Sequence, residues 1–524
     1  MKKIISGILG LSIASTMAVG LTGCNQTAKG PETLKWICLG EKPTDHDLVM
    51  AEANKIIEPE LGLKLEIEYI DGASFTEKTK MKMASGEPID LYFTGYVNNY
   101  QTAAQMNGLY DITDMLDNIQ MKDGTVAKMT DVIEQYYLDA ATIDGKIYGI
   151  PNQQVISNPA CIEIAKHIAE ECGVDLKGIE ALATTNVNTE TSKALMDKMT
   201  EELAKIKAKR PDLYTINPFN PALTNIYDDI SSGVAVRSDG SSDELVITAF
   251  TDEWKYGVET VRKWFEAGYI RSDIASVAGQ AQTTEEKQKY AMSSGTWKPG
   301  QEIYYVNTNG YDPAYAFLRV PFVWRTAPLA TMISVGANAP HPEEAVKFIY
   351  MINSNKELYN LICWGIKDKH YTINEDGTAT EIKGSGYDNV APNAWRYGNQ
   401  FNGYVMEGQS NSYKEGDVLF NGYVKEGVEL TDEQVANVWA QTQTMNDVIA
   451  VKSPALGFVP DTTKISAEIA NVSNVNDTYK AKTGYGTHPV DEWYDNYIKD
   501  LKAAGIETIR DELQAQYDAW KASK

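Results

Sequence analysis

Residue types that commonly carry catalysis are sparse in this 524-residue chain or lack the spacing that chemistry requires. The sequence contains no H-E-x-x-H, G-x-S-x-G or G-x-x-x-x-G-K-[ST] motif. The five histidines are scattered without the intervals that place two ligands on one metal ion: His46, His167, His341, His370 and His488. We interpret them as structural or surface residues, and expect no metal, no cofactor and no enzymatic activity.

Acidic residues leave one enzymatic alternative open. Glycoside hydrolysis needs two carboxyl groups about 5 to 10 Å apart around a cleft. The chain has 72 Asp and Glu residues, so no particular pair can be singled out. A surface glycoside hydrolase is therefore a less favoured alternative to a binding protein.

One cysteine has a clear chemical context. Lys2 and Lys3 precede an apolar run that ends in Leu21-Thr22-Gly23-Cys24, which is the layout of a secretory signal peptide. The ending is similar to the lipobox of bacterial lipoproteins, in which the cysteine thiol is acylated and becomes the mature N-terminus. We expect residues 1–23 to be the signal peptide, Cys24 to carry lipid, and residues 24–33 to form a flexible tether. An uncleaved membrane helix is the alternative, since about 18 apolar residues approach the length that spans a bilayer.

The remaining cysteines, Cys38, Cys161, Cys172 and Cys363, have no C-x-x-C spacing. Pro159 at a first helical position and Gly173 past the end predict a helix over Pro159–Cys172. That helix would hold Cys161 and Cys172 too far apart for a disulfide. We interpret all four as small buried apolar residues.

The charge of the chain restricts its partners. The formal net charge is -24, and it becomes -26 once Lys2 and Lys3 leave with the signal peptide, because 46 basic residues then face 72 acidic ones. This excess argues against nucleic acid as a partner and against basic patches that hold a membrane. It also argues against an anionic ligand by default, although local charge in a cleft, not net charge, decides whether uronic acids are accepted.

Periodicity in the first folded stretch predicts alternating strands and helices. After the signal and tether about 490 residues remain, which exceeds one compact core and predicts at least two lobes. The predicted order is strand, helix, strand, helix, strand, at residues 34–39, 45–57, 63–69, 74–83 and 89–93. This order implies a parallel sheet flanked by helices, with ligands bound beyond the carboxyl ends of its strands. Loops 40–43 and 94–100 are therefore candidate walls of a site, and Tyr96, Asn98 and Asn99 are candidate contacts.

Two further stretches supply candidate crossings and contacts. Residues 144–154 form a turn, a short strand and a polar segment set by Pro151, which we interpret as a first crossing between lobes that carries Asn152 and Gln153. A second crossing is expected at residues 324–329. Trp297 lies in a loop bounded by glycine and proline, where burial on a helix does not account for it, so Trp297 and Lys298 are candidate ligand contacts.

Several motifs taken together resemble one protein family. They are Lys82–Leu91, Gly108–Thr113, Asp144–Pro151, Lys356–Leu361, Gly365–Tyr371, Trp395–Phe401 and Ser453–Phe458. In order and spacing they resemble the family 1 extracellular solute-binding proteins of ABC importers, in a lipoprotein branch with a distinctive C-terminal domain of unknown function. Lys367-Asp368-Lys369 stands where that branch usually has Glu-Gly, so the conformation before His370 is expected to differ.

The resemblance implies an α/β fold of the two-lobed periplasmic-binding-protein type II, each lobe a sheet flanked by helices, with a hinge and a cleft between the lobes. We expect residues 34–150 and 326–375 in the first lobe, and 151–325 and 376–524 in the second, with the C-terminal helices. It further implies a monomer, anchored by lipid on the extracellular face of the cytoplasmic membrane, that delivers its ligand to an ABC permease.

Composition favours a carbohydrate ligand, most simply an oligosaccharide. The chain has 30 Tyr and 10 Trp against 11 Phe, and aromatic rings with a polar handle suit the faces and hydroxyls of sugars. Candidate stacking residues are Trp297 and Trp395, candidate polar contacts are Asn98, Asn99, Asn152, Gln153, Lys298 and Asn399, and Tyr96 is a further candidate contact. A peptide receptor of the same fold stays open, since fold alone does not separate the two.

Overall fold

The computed structural model describes residues 32–182, 188–217, 226–278, 282–301, 306, 310–409 and 430–524. The predicted signal peptide, Cys24 and most of the tether lie outside these residues. Two sheet-centred lobes and a helical C-terminal region make up the described chain, as the predicted two-lobed α/β fold requires. Within the described ranges, no helix combines the length and apolarity needed to cross a membrane.

The first lobe is built on a five-stranded sheet. Its spatial order is Lys64–Ile70, Thr33–Leu39, Leu91–Gly95, Thr331–Val335 and Gly149–Pro151. The first three strands are parallel, while Thr331–Val335 runs antiparallel to both of its neighbours. The carboxyl ends of the parallel strands therefore meet at one edge, as predicted, and the loops after residues 39 and 95 lie there.

Helices cover this sheet because their apolar residues recur at helical spacing. The helix His46–Leu61 buries Val49, Met50, Ala53 and Ile57 and ends at Gly62, whose φ of 73° suits a residue without a side chain. The other helices of this lobe are Phe75–Ala84, Tyr100–Gln105, Gln135–Ala141, Pro342–Ser354 and Lys356–Trp364. The helices predicted from periodicity at residues 45–57 and 74–83 are thus present with small shifts of their ends.

Residues 376–409 belong to the first lobe, and not to the second as the expected boundary had it. The hairpin Tyr371–Ile373 and Ala379–Glu381 continues into the 3-10 turns Ala391–Arg396 and Gln400–Asn402. Tyr387 and Tyr397 are buried in the first-lobe core. Hydrogen bonds also fasten the segment to the helix Lys356–Trp364, because the hydroxyl of Tyr359 donates to the carbonyl of Ala394 at 2.9 Å.

The second lobe has a four-stranded sheet in the order Pro313–Phe317, Ala160–Ala165, Tyr290–Thr296 and Tyr214–Ile216. The helix predicted over residues 159–172 is wrong in its first half, where Ala160–Ala165 is an interior strand and only Lys166–Cys172 is helical. Ile162 and Ile164 are fully buried there, as the short apolar run of an interior strand requires. Cys161 and Cys172 consequently lie on different elements. The other helices are Leu176–Glu180, Thr189–Lys209, Asp252–Glu266, Ile274–Val277 and Thr284–Lys287.

The C-terminal region packs on a small antiparallel sheet. Its helices are Ser466–Tyr485, Tyr494–Ala503 and Ile506–Ala522, and the sheet is Val246–Ile247, Val234–Arg237 and Tyr227–Ser231. Trp254 stacks on Tyr497 with ring centroids 5.6 Å apart. The helices Tyr494–Ala503 and Ile506–Ala522 lie on either side of Gly505, and their apolar faces form a core separate from those of the two sheets.

Two described segments connect the lobes. Residues 152–159 and 318–330 join strands of the two sheets, and Val451–Lys452 pairs in parallel with Phe322–Val323 beside the second of these segments. The side chain of Asn446 ties the residues before Val451 to the first segment, because its Nδ2 donates to the carbonyl of Gln154 at 2.8 Å and its Oδ1 accepts from the Ser157 hydroxyl at 2.7 Å. The two connections and residues 446–452 thus lie together between the lobes.

Candidate ligand-binding site

An aromatic cluster stands at the carboxyl edge of the first-lobe sheet. The ring centroids of Tyr96 and Trp395 are 6.0 Å apart at an angle of 54°, and both rings pack edge-on against the buried Phe93. Tyr96 is 63% exposed, and Trp395 is partly exposed. Two residues that lie about 300 positions apart in the sequence therefore form one surface, where the fold leads us to expect a ligand.

Asn152 fixes the backbone behind this cluster. Its side chain is fully buried; its Nδ2 donates to the carbonyl of Trp395 at 3.1 Å, and its Oδ1 accepts from the backbone N of Gly398 at 3.1 Å. Because both ends of the amide are used within the protein, Asn152 positions Trp395. Its predicted direct contact with ligand stays a prediction.

Gln153 and Asn399 also hold the segment that carries Trp395. The backbone N of Gln153 donates to the carbonyl of Gly398 at 3.0 Å, and the carbonyl of Gln153 accepts from Gln400 at 2.9 Å. The Gln153 side chain donates to the carbonyl of Val132 at 2.7 Å, and the Asn399 side chain accepts from the backbone N of Phe401 at 3.0 Å. The structure thus brings Asn152, Gln153, Trp395 and Asn399 together, with the amides behind the ring.

Asn98 and Asn99 lie in the same loop as Tyr96 but serve different purposes. Asn99 caps the helix Tyr100–Gln105, since its Oδ1 accepts from the backbone N of Thr102 at 2.9 Å. Asn98 is 2% exposed, and its Nδ2 has no hydrogen-bond partner. Both asparagines and Tyr96 line a cavity of about 190 Å³ beneath the loop.

Trp297 and Lys298 come from the second lobe. Trp297 is only 6% exposed, because its ring packs edge-on against Phe317 at 5.5 Å; its loop position therefore does not leave the indole open as the sequence indicated. Lys298 reaches the first lobe, where it lines a small cavity of about 60 Å³ with Ala394 and Gln400. Burial lowers the pKa of the Lys298 ammonium group.

Arg396 is a member of the site that the sequence reasoning missed. It is 8% exposed, and its guanidinium lies 5.6 Å from the ring centroid of Trp395 and 5.4 Å from that of Tyr397. Nε donates to the carbonyl of Asn393 at 3.1 Å, and Nη1 donates to the carbonyl of Leu39 at the end of its strand. Gly40 is required beside it, because any Cβ atom there would collide with Nη1. The signal available in the sequence was an arginine between two aromatics, directly after Trp395.

Electrostatics connect Arg396 to the exposed tyrosine. Burial raises the pKa of the Tyr96 hydroxyl, and the positive charge of Arg396 opposes that shift. The assembled groups offer ring faces, an unpaired amide, the buried guanidinium of Arg396 and the partly buried ammonium group of Lys298. In the chain as described, no three His, Cys, Asp or Glu side chains are grouped to hold a metal ion.

A larger cavity of about 1180 Å³ lies away from this edge. It is lined by the helices His46–Leu61, Lys356–Trp364 and Val438–Thr444, and its rim carries many charged side chains. Because the carboxyl ends of the parallel strands do not open into it, we place the candidate site at the aromatic cluster.

Comparison with known proteins agrees with this architecture. Residues 52–364 match the model of the bacterial extracellular solute-binding proteins, and residues 454–522 match a domain of unknown function, DUF3502. A protein of Streptococcus pneumoniae serotype 4, described as a carbohydrate ABC transporter substrate-binding protein, is 23% identical, over 97% of this chain and 96% of its own.

Solved structures extend the likeness to three dimensions. The N-glycan transport solute-binding protein NgtS of Streptococcus pneumoniae has a TM-score of 0.73 at 22% identity, covering 94% of this chain and all of its own. The Streptococcus pneumoniae ABC-transporter substrate-binding protein FusA, in complex with kestose, has a TM-score of 0.57 at 16% identity, with coverages of 94% and 100%. The chain belongs to the family of bacterial extracellular solute-binding proteins.

Proposed function

We propose that the protein captures an oligosaccharide between its lobes and delivers it to the permease of an ABC importer. The observation that carries this proposal is the pair of rings, Tyr96 and Trp395, set 6.0 Å apart at the carboxyl edge of the first-lobe sheet. Aromatic faces pack well against the apolar faces of sugar rings, and two tilted rings suit successive residues of a chain better than a single small solute.

The relatives support a carbohydrate more than another solute. One relative is described as a carbohydrate ABC transporter substrate-binding protein, and structures similar to this chain were solved with Man1GlcNAc, Man5GlcNAc and kestose. A peptide receptor is expected instead to offer strand edges that pair with an extended backbone. The exposed feature of this site is a ring surface, so we favour the sugar.

The connections between the lobes supply the means of delivery. The two described segments that join the lobes allow them to close about a hinge while the strands within each sheet stay rigid. A ligand that contacts both lobes stabilises the closed form, and the permease then recognises that form. We further propose that lipid on Cys24 holds the protein at the extracellular face of the cytoplasmic membrane.

A thermal-shift and calorimetric screen tests the function. The mature chain from Asn25, without lipid, is titrated with neutral and acidic oligosaccharides and with short peptides, and the recovered ligand is analysed for cleavage. A glycan at 100 times its dissociation constant should stabilise the fold by about 2.7 kcal/mol and be recovered intact. Stabilisation by peptides alone would overturn the sugar assignment, and consumption of the glycan would favour the hydrolase.

A further inference from the structure

One buried amide at the candidate site has no partner within the protein. Asn98 is 2% exposed, and its Nδ2 forms no hydrogen bond with any described residue. Four other asparagines are buried in the described chain, and the side-chain amide of each donates to a backbone carbonyl: Asn152, Asn353, Asn360 and Asn446. Because an unsatisfied buried donor is costly, Asn98 is exceptional, and its acceptor is expected to come from outside the chain.

The cavity of about 190 Å³ that Asn98 lines provides the space for such an acceptor. It lies beneath the loop of residues 96–99, between the helices Phe75–Ala84 and Tyr100–Gln105. Tyr96 and Met106, which also line it, are 63% and 55% exposed, so the cavity opens beside them and Asn98 lies at its inner end. A single water needs only about 10 to 15 Å³ of such space, so the cavity admits a group of several heavy atoms.

The wall of this cavity is mainly apolar. Its two hydroxyl groups are already used, because that of Thr76 donates to the carbonyl of Val97 and that of Thr102 donates at 3.1 Å to the side chain that caps its helix. Lys80 is exposed, so water solvates its ammonium group. A group that fits therefore needs one acceptor for the Asn98 amide and is otherwise apolar. The apolar members of the wall are Met83, Ala84, Val97, Ala103 and Met106.

The cavity adjoins the ring surface of the candidate site. Tyr96 lines the cavity, and the centroid of the same ring lies 6.0 Å from that of Trp395. Met83 and Val97 of the wall pack, together with Trp395, against one buried cluster that contains Phe93. A substituent of a sugar that packs on the two rings can therefore enter the cavity beside Tyr96.

We propose that this cavity binds the acetamido group of an N-acetylhexosamine, so that the captured oligosaccharide contains such a residue. This inference rests on the proposed function and narrows its ligand class. The acetamido carbonyl accepts a hydrogen bond from Nδ2 of Asn98, and the methyl group packs against Met83 and Ala103. A ring hydroxyl offers an acceptor without an apolar part, and the methyl group of a deoxy sugar offers the reverse, whereas the acetamido group supplies both.

Matched sugars test the proposal by calorimetry on the mature chain. The pairs are N-acetyllactosamine with lactose, di-N-acetylchitobiose with cellobiose, and tetra-N-acetylchitotetraose with cellotetraose. In at least one pair the N-acetylated sugar should bind at least about tenfold more tightly, through one hydrogen bond and one buried methyl group. Asn98→Leu keeps the branched shape of the side chain without the donor, so it should bring that ratio towards one without lowering the melting temperature of the free protein. Asn471→Leu, at an exposed position of the helix Ser466–Tyr485, is the matched control and should keep the ratio of the parent.

The outcomes separate this inference from the function on which it rests. If glycans bind but no N-acetylated sugar binds more tightly than its hexose partner, the acetamido site is refuted while the oligosaccharide receptor stands. If no glycan of any kind binds, both fail. A preference that persists unchanged in Asn98→Leu also overturns the proposal. Should Asn98→Leu not fold, Met106→Trp decides the question, because its larger ring narrows the mouth of the cavity and an unchanged ratio there would refute the site.

Discussion

The side chain of Asn152 and the backbone of Trp395 are joined by a 3.1 Å hydrogen bond, in which Nδ2 donates to the carbonyl oxygen. Asn152 lies at the start of the first connection between the lobes, and Trp395 carries one of the two partly exposed rings of the candidate site. We therefore expect a change in the angle of this connection to move the ring of Trp395, which we propose contacts the ligand.

Replacing Asn152 with Ala should loosen this link. The change removes two buried hydrogen bonds and leaves the backbone N of Gly398 without a partner, while the carbonyl of Trp395 keeps only the Thr331 hydroxyl at 3.3 Å. We therefore expect a loss of about 2 kcal/mol in the free energy of unfolding. Glycan affinity should fall as well, because Trp395 is no longer held. Urea titration and calorimetry measure the two effects.

Asn158 provides the matched control, because it lies on the same connection and its side chain makes no hydrogen bond to the described residues. Asn158→Ala should leave stability and affinity within about 0.5 kcal/mol of the parent. Equal behaviour of the two variants would show that Asn152 does not position the ring.

Trp395→Ala should weaken glycan binding by about ten- to a hundredfold, which corresponds to the burial of one aromatic ring against the ligand. Tyr96→Ala should weaken it similarly with little effect on stability, because the Tyr96 side chain is 63% exposed in the free protein. The dissociation constants, measured by calorimetry, compare these variants with Trp520→Ala on the C-terminal helix. A loss of affinity in Trp520→Ala as large as that in Trp395→Ala would argue against the aromatic cluster as the binding surface.

The sequence predicted secondary structure correctly where the hydrophobic pattern was long, and failed where it was short. The strands and helices of residues 33–95 followed from clear periodicity, and the two-lobed fold and the family are confirmed. The segment 160–165 was predicted as helix because a short apolar run fits either element, and pairing with Pro313–Phe317 and Tyr290–Thr296 decides for a strand. That pairing partner lies more than 120 residues away, beyond the reach of local patterns.

Residues of the candidate site could be predicted where they come directly after a strand of the first-lobe sheet. Tyr96 could be placed because it follows a strand whose carboxyl end defines the site. Trp297 could not be assessed, because its burial depends on Phe317 from a different strand. Arg396 was missed for the same reason, since its environment is created by Leu39 and Gly40, some 350 residues earlier in the chain.

His46 should make the first lobe sensitive to acid. Burial lowers the pKa of its imidazole to about 4, and its Nδ1 has no hydrogen-bond partner. The unfolded chain, with an ordinary pKa of about 6.5, binds the proton first, so stability is lost as the pH falls from about 6.5 to about 4. The total loss from this group is at most about 3 kcal/mol.

Unfolding midpoints between pH 4 and pH 7 measure this dependence. His46→Phe keeps a ring against Tyr69, whose centroid lies 5.2 Å away, and removes the titrating group, so its stability should fall less steeply with acid. His167→Gln, at an exposed position, serves as the control and should follow the parent. Parallel curves for His46→Phe and the parent would show that His46 is not the cause.

Lys298→Met should stabilise the ligand-free protein. Burial lowers the pKa of Lys298 in the folded state, so the unfolded chain binds its proton more tightly and the parent gains stability as pH rises towards the ordinary lysine value. Methionine keeps the length of the side chain without the charge, and we expect a gain of about 0.5 to 2 kcal/mol at pH 7. Because only the parent gains from deprotonation, the difference between the two proteins should shrink above about pH 10.

Lys499→Met on the exposed face of the helix Tyr494–Ala503 should show no such gain in thermal unfolding. A lower midpoint for Lys298→Met would mean that the ammonium group is already compensated within the folded chain.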